Sequence, residues 1–118
     1  MYEYKLKSVD HIVDGDTFDA TVDLGFNVYH KLRIRLQGVN TPESRTRDLV
    51  EKAAGLRAKA RITELLENDN LVLQTRKKGK YGRWLGLVFY DDAEGHTRDI
   101  ANTLIVEGHG VEYHGGKR

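Results

Sequence analysis

The sequence contains no cysteine, which excludes disulfide bonds and thiolate metal sites, so stability has to come from packing. It has a single proline, Pro42, and no apolar segment approaches the length of a membrane-spanning helix. Internal repeats and low-complexity segments are also absent. With 39% hydrophobic and 31% charged residues, the 118-residue chain is predicted to be one soluble globular domain over residues 1–118.

The sequence also has no large excess of positive or negative charge, because the formal net charge is only +1. Its distribution is uneven: five basic residues fall between Arg76 and Arg83, and acidic residues gather at 91–94. Such a patch fits a nucleic-acid groove and equally fits a solvated loop. The first five residues lack the apolar run of a signal peptide, so we expect a cytoplasmic location.

Hydrophobic alternation predicts most of the secondary structure. The expected strands cover residues 4–13, 17–24, 28–37, 71–75 and 84–90, and helices are expected at 52–67 and 99–107. In the third strand Val28, Leu32, Ile34 and Leu36 are predicted to face inward, with Arg33, Arg35 and Gln37 on the other face.

The first helix is predicted from one apolar stripe made of Ala54, Ala58, Ile62 and Leu65. Gly55 weakens the beginning of that stripe, so a later helix start is considered. The polar stretch 44–48 before it is expected to be a mobile loop. Three strands, a helix, two strands and a helix is the order of an α+β, mainly β fold: a five-stranded OB-type barrel with a covering helix and a second short helix.

Asp14 and Asp16 flank Gly15 at the start of the second strand. Asp-Gly is common turn chemistry, which is the simplest explanation. The functional alternative is that a carboxylate from this turn binds a hard cation such as Ca²⁺, which prefers oxygen ligands.

The segment from Asn40 to Glu43 follows the strand that carries Arg35. Asn40 offers an amide oxygen, Thr41 a backbone carbonyl and Glu43 a carboxylate able to position water, although the tetrapeptide also fits a plain strand exit. Arg35, between two aliphatic residues, fits either a structural ion pair or a clamp on a phosphate.

Lys80, Tyr81, Gly82 and Arg83 close the basic loop before the fifth strand. They could hold phosphates, with Arg83 as a second guanidinium, or form an ordinary basic hairpin loop. The five histidines do not fall at metal-ligand spacing.

Taken in order, the segments 14–17, 35–43 and 80–83 resemble the signature of the staphylococcal (micrococcal) nuclease family, and the likeness covers roughly residues 9–113. The resemblance implies an OB-type barrel and Ca²⁺-dependent hydrolysis of DNA and RNA, with Mg²⁺ or Mn²⁺ as alternative metals. By analogy, water attacks phosphorus in line and leaves 3′-phosphate ends on a single-stranded or frayed substrate. Nothing in the pattern requires more than a monomer.

The resemblance also implies roles for individual residues. The metal ligands would be Asp16, Asn40 and Thr41, with Asp14 in support; the catalytic residues Arg35, Glu43 and Arg83; and the substrate-binding residues Lys80, Tyr81 and Tyr113.

The sequence departs from the family pattern at Asn40, where the best-known members have aspartate. The amide keeps an oxygen ligand but removes one negative charge, so weaker Ca²⁺ binding is predicted. The same residue keeps an alternative function open, that of a non-catalytic OB-fold module that binds nucleic acid or protein. Arg45 and Arg47, in a short loop after Glu43, are expected to alter substrate contacts.

Overall fold

The computed structural model describes residues 2–78 and 82–114. Its strands are β1 (Glu3–Asp14), β2 (Thr17–Asp23), β3 (Tyr29–Leu36), β4 (Gly38–Asn40), β5 (Val72–Lys78), β6 (Arg83–Asp91), β7 (Thr97–Asp99) and β8 (Val111–Tyr113). The helices are α1 (Leu49–Leu65) and α2 (Ile100–Val106). The predicted order of elements is therefore confirmed, with three short strands added.

Five of these strands close into a barrel. The antiparallel pairs are β1–β2, β2–β3, β1–β5 and β5–β6, and the ring is completed by a parallel pair between β3 and β6. Closure removes the unpaired sheet edge that an open five-stranded sheet would expose. The predicted fold, an OB-type barrel of α+β class, is confirmed.

The hydrophobic core fills the barrel and extends beneath both helices. Its fully buried members include Phe18 and Ile34 from the barrel, Ile62 from α1, and Ile100 and Leu104 from α2. Within β3, Ile34 and Leu36 face inward as predicted.

The inward placement predicted for Val28 is wrong. This side chain is 51% exposed because it precedes β3, in a turn where Gly25, Phe26 and Asn27 all have positive φ. The turn therefore interrupts the alternation that the sequence suggests.

Helix α1 begins earlier than expected. Asp48 caps it by accepting hydrogen bonds from the backbone N–H groups of Val50 and Glu51, which satisfies donors that a helix start leaves unpaired. Gly55 lies inside the helix, so a start after Gly55 is wrong. The predicted stripe is confirmed at Ala58 and Ile62, which are fully buried.

The remaining short elements flank the barrel. Strand β7 forms a hairpin with β6, while β4 and β8 pair antiparallel as a separate two-stranded ribbon. An Arg61–Glu107 ion pair of 2.6 Å joins α1 to the end of α2. Among the described residues, the helices are too short or too polar to cross a membrane.

Candidate functional site

Most of the predicted site residues meet at one end of the β2–β3 hairpin. Asp16 directly precedes β2, and the antiparallel register places Thr17 beside Arg35 near the end of β3. The chain then passes through β4 to Asn40 and Thr41. Because the hairpin turn lies at the opposite end, these groups cluster through strand pairing and not through sequence proximity.

Arg35 is the central side chain of this cluster and is 9% exposed. Its Nη1 donates to the carbonyl oxygens of Leu36 and Val39, at 2.8 and 2.7 Å. Its Nη2 lies 3.2 Å from Asn40 Oδ1 and 3.6 Å from Asp16 Oδ2. The guanidinium thus holds together the residues between β3 and Asn40, which is a structural role. A phosphate bound by Arg35 would have to contact a guanidinium that already makes these hydrogen bonds.

Asp16 is nearly as buried as Arg35, with 7% of its surface exposed. Its Oδ1 accepts from the Thr17 hydroxyl, and its Oδ2 accepts from the backbone N–H of Thr41 at 2.9 Å. A buried carboxylate is stable only when it is paired and hydrogen-bonded, and Asp16 has both kinds of partner. It also fixes the Thr41 backbone beside the barrel.

Two of the three groups predicted to bind a cation, the side chains of Asp16 and Asn40, lie next to one nitrogen of Arg35. Asp16 supplies a carboxylate and Asn40 an amide, and the backbone of Thr41 is hydrogen-bonded to the first of these. An all-oxygen set of this kind fits a hard divalent cation. It contains one carboxylate, and nowhere within residues 2–78 and 82–114 do three acidic or histidine side chains form a metal-binding group.

The outer face of the barrel beside this cluster carries two more arginines. Arg33 forms a two-pronged ion pair with Asp19, at 2.7 and 3.0 Å, and the hydrogen bonds that Arg33 donates hold the Asp19 pKa below the usual range. Arg83 opens β6 beside Arg33 in the parallel ladder, and Leu85, two residues on, lies beside Arg35. Arg83 therefore shares a barrel face with Arg35 and lies two residue positions away from it along the ladder.

Tyr113 also reaches the cluster. It lies on β8 opposite Gly38, and its ring centroid is 5.5 Å from the Arg35 guanidinium carbon. A guanidinium at this distance from an aromatic ring is stabilised by a cation–π interaction. Tyr113 therefore lies beside the site, and its contact with a base stays a prediction.

Glu43 lies on the loop between Thr41 and α1, with its side chain exposed. The next residue, Ser44, is only 4% exposed, and both its backbone N–H and its hydroxyl donate to Asp14 Oδ1. The start of this loop is therefore tied to the barrel, contrary to the expected mobile loop at 44–48. Asp14 thus uses Oδ1 to hold the loop.

Two glycines let α1 approach the site closely. A Cβ on Gly55 would overlap the Glu43 carbonyl group and lie 2.7 Å from the backbone nitrogen of Ser44. A Cβ on Gly15 would come within 2.8 Å of Ala58 Cβ and 3.0 Å of Thr41 Oγ1. Bare backbone is needed at both positions for close contact.

Lys80 and Tyr81, the two predicted phosphate contacts, lie outside the described residues. Sequence reasoning missed Ser44 and the reason for Gly55. A glycine inside a helical stripe is a usable signal of close backbone approach, whereas Ser44 gives no local signal because Asp14 is 30 residues away.

The structure is a closed OB-type barrel with acidic, amide and guanidinium groups at one end. This is the fold that the resemblance to the nuclease family predicts. The profile of the family described as "Staphylococcal nuclease homologue" matches residues 33–117, and the chain belongs to this family.

Two curated relatives give the likeness more detail. The chain is 29% identical over 104 residues to "Micrococcal nuclease" of Shigella flexneri, covering 85% of this chain and 53% of that protein. It is 31% identical over 81 residues to "Protein ParB" of Escherichia coli, covering 69% of this chain and 40% of that protein. The chain thus spans about half the length, or less, of the curated relatives it matches.

Proposed function

We propose that this protein is a metal-dependent nuclease that hydrolyses phosphodiester bonds of DNA, RNA or both. The observation that carries the proposal is the convergence of Asp16, Arg35 and Asn40 at one end of the barrel, with Glu43 on the adjoining loop. Family membership and the likeness to a protein named as a nuclease support it.

In this proposal each residue acts through the geometry described above. Arg35 and Arg83 hold the phosphate from one barrel face and offset negative charge that develops on its oxygens. Glu43 accepts a proton from the attacking water, or orients that water in line with the leaving oxygen. Tyr113 offers a ring beside the Arg35 guanidinium. The predicted products carry 3′-phosphate ends.

The metal is proposed to be Ca²⁺, with Mg²⁺ or Mn²⁺ as alternatives. Asp16, Asn40 and the Thr41 carbonyl would hold it, because their oxygens suit a hard cation. When bound, such an ion supplies electrostatic stabilisation of the transition state. In this structure Arg35 Nη2 contacts the oxygens of both Asp16 and Asn40, so a cation has to compete with a positive charge for them.

That competition favours a second candidate function. If Arg35 keeps the oxygens of Asp16 and Asn40, the barrel binds nucleic acid or a protein partner without cleaving it. A single-stranded or frayed substrate, the monomeric state and the cytoplasmic location remain predictions under either function.

The two functions are separated by replacing Glu43 with glutamine. The nuclease should lose turnover by about 100-fold while binding of a labelled single-stranded oligonucleotide stays within about twofold, since general-base catalysis contributes roughly 10²–10⁴-fold. Glu112→Gln on β8 is the control, because it removes the same charge from an exposed side chain. Binding by wild type with no cleavage in any metal would favour the binding module.

A further inference from the structure

The residue that follows Glu43 is held from two sides. On one side, Asp14 Oδ1 accepts two hydrogen bonds from Ser44, one from its backbone and one from its hydroxyl. On the other side, α1 passes so close at Gly55 that a single methyl group there would overlap the Glu43 carbonyl. Ser44 itself is 4% exposed.

We propose that Asp14 and Gly55 clamp the Glu43–Ser44 peptide between the barrel and α1, and thereby position the Glu43 carboxylate. Both are positioning residues, since their contacts are with the backbone next to Glu43 and with Ser44. The inference rests on the proposed nuclease function, to which it adds the means by which Glu43 is held.

The clamp gives Asp14 a role different from support of a metal. A metal-supporting carboxylate needs its negative charge, whereas an acceptor for Ser44 needs only an oxygen in the same place. Asparagine keeps that oxygen and alanine removes it. The clamp therefore predicts that Asp14→Asn is much less impaired than Asp14→Ala, whereas a charge-dependent role predicts that both variants are equally impaired.

The placement of α1 supports the clamp independently of Asp14. Gly15, next to Asp14, lies against Ala58 one turn beyond Gly55 on the same helix. Small residues at 55 and 58 thus let α1 touch both the turn that carries Asp14 and the loop that carries Glu43. An error of about 1 Å in a catalytic group can lower the rate roughly 100-fold, so a shift of this loop is expected to affect catalysis.

The first test is kinetic. Gly55→Ala and Asp14→Ala should each lower kcat by about 10–100-fold with KM changed less than about threefold, whereas Asp14→Asn should lose less than about fivefold. Ile62→Val is the control, because it loosens the buried side of the same helix without touching the loop. An Asp14→Asn variant as impaired as Asp14→Ala would overturn the clamp in favour of a charge-dependent role.

The second kinetic test uses Glu43→Gln as background. If Asp14 and Gly55 act only through Glu43, neither alanine variant lowers the residual rate further, so the effects are strongly non-additive. A full additional loss in that background would contradict the proposal, because it would show that both residues act through something other than Glu43.

Amide hydrogen exchange tests the clamp without requiring activity. The Ser44 N–H should be protected in wild type and in Asp14→Asn, and should exchange at least about tenfold faster in Asp14→Ala. An unprotected Ser44 amide in wild type would refute the clamp even if the protein cleaves nucleic acid. Protection at Ser44 in a wild type that cleaves nothing would instead refute the nuclease function and leave the backbone contact established.

Discussion

Replacing Asn40 by aspartate should tighten Ca²⁺ binding, because it restores a second negative charge beside Asp16. The Oδ1 atom of residue 40 lies 3.2 Å from Arg35 Nη2, and Asp16 Oδ2 lies 3.6 Å from the same atom. A carboxylate at position 40 would keep the hydrogen bond to Arg35, in charge-assisted form, so the fold is expected to survive.

The size of the effect follows from two opposing electrostatic contributions. A unit charge pair about 4 Å apart is worth roughly 4 kcal/mol at an effective dielectric constant near 20, and a divalent cation about doubles that attraction. The new carboxylate would also gain roughly 4 kcal/mol from Arg35 in the metal-free protein, and desolvation removes part of the remainder. We expect a net gain of about 1–3 kcal/mol, which is roughly 5- to 150-fold in Kd.

Isothermal titration of Ca²⁺ into wild type and Asn40→Asp at matched pH and ionic strength measures this gain. Asn27→Asp is the control, because this substitution changes the net charge by the same amount. Asn27 lies in the exposed turn at the opposite end of the β2–β3 hairpin. Tightening in Asn40→Asp alone supports the ligand set. An unchanged Kd in Asn40→Asp, or the same gain in the control, would refute the assignment of residue 40 as a ligand.

Three further predictions concern stability. Phe26 has a φ of 55° and a fully exposed side chain. Because asparagine tolerates this backbone conformation better, Phe26→Asn should raise the free energy of unfolding by about 0.5–1 kcal/mol in urea titrations. A lower free energy of unfolding in the variant would contradict a strained turn. Arg61 lowers the Glu107 pKa, so Glu107→Gln should lose about 0.2–1 kcal/mol near neutral pH. A lowered carboxyl pKa stabilises the fold at pH values above the unfolded pKa of about 4.3. The stability difference between wild type and Glu107→Gln should therefore vanish as the pH falls through the lower, folded pKa. A difference that persists in acid would refute the pairing. Leu104→Ala should cost about 2–5 kcal/mol against less than about 0.5 for the exposed Val106→Ala, and equal losses would contradict the packing of α2.

The barrel could be predicted from the sequence because its five strands carry their own alternation. The short strands β4, β7 and β8 could not, since each has three residues and too few positions to show a period. The sequence predicts a start of α1 at residue 52, and the penalty of about 1 kcal/mol for Gly55 favours an even later one, because it counts only a local preference. The Asp48 cap and the close approach of α1 to the Glu43 backbone decide the helix start, and the second of these exists only in the folded chain.

The convergence of three segments at the candidate site was predictable from the sequence, but the contacts between their side chains were not. The segments containing Asp16, Arg35 and Asn40 were expected to converge, and the structure brings them into contact. The sequence left open whether Arg35 forms a structural ion pair or a phosphate clamp. The structure shows three hydrogen-bond acceptors around its guanidinium and an ion pair with Asp16. Such choices depend on distances between strands, which no local pattern encodes.

The proposed metal-dependent hydrolysis can be measured directly as cleavage of end-labelled single-stranded DNA and of a matched RNA. Wild-type protein would be incubated with each substrate in Ca²⁺, Mg²⁺, Mn²⁺ or EDTA, and the product ends analysed by their response to a 3′-phosphatase. A metal-dependent nuclease of this family should cleave with at least one metal, should not cleave in EDTA, and should leave 3′-phosphate ends. Cleavage that persists in EDTA, or products with 3′-hydroxyl ends, would contradict the proposal, as would intact substrate in every metal.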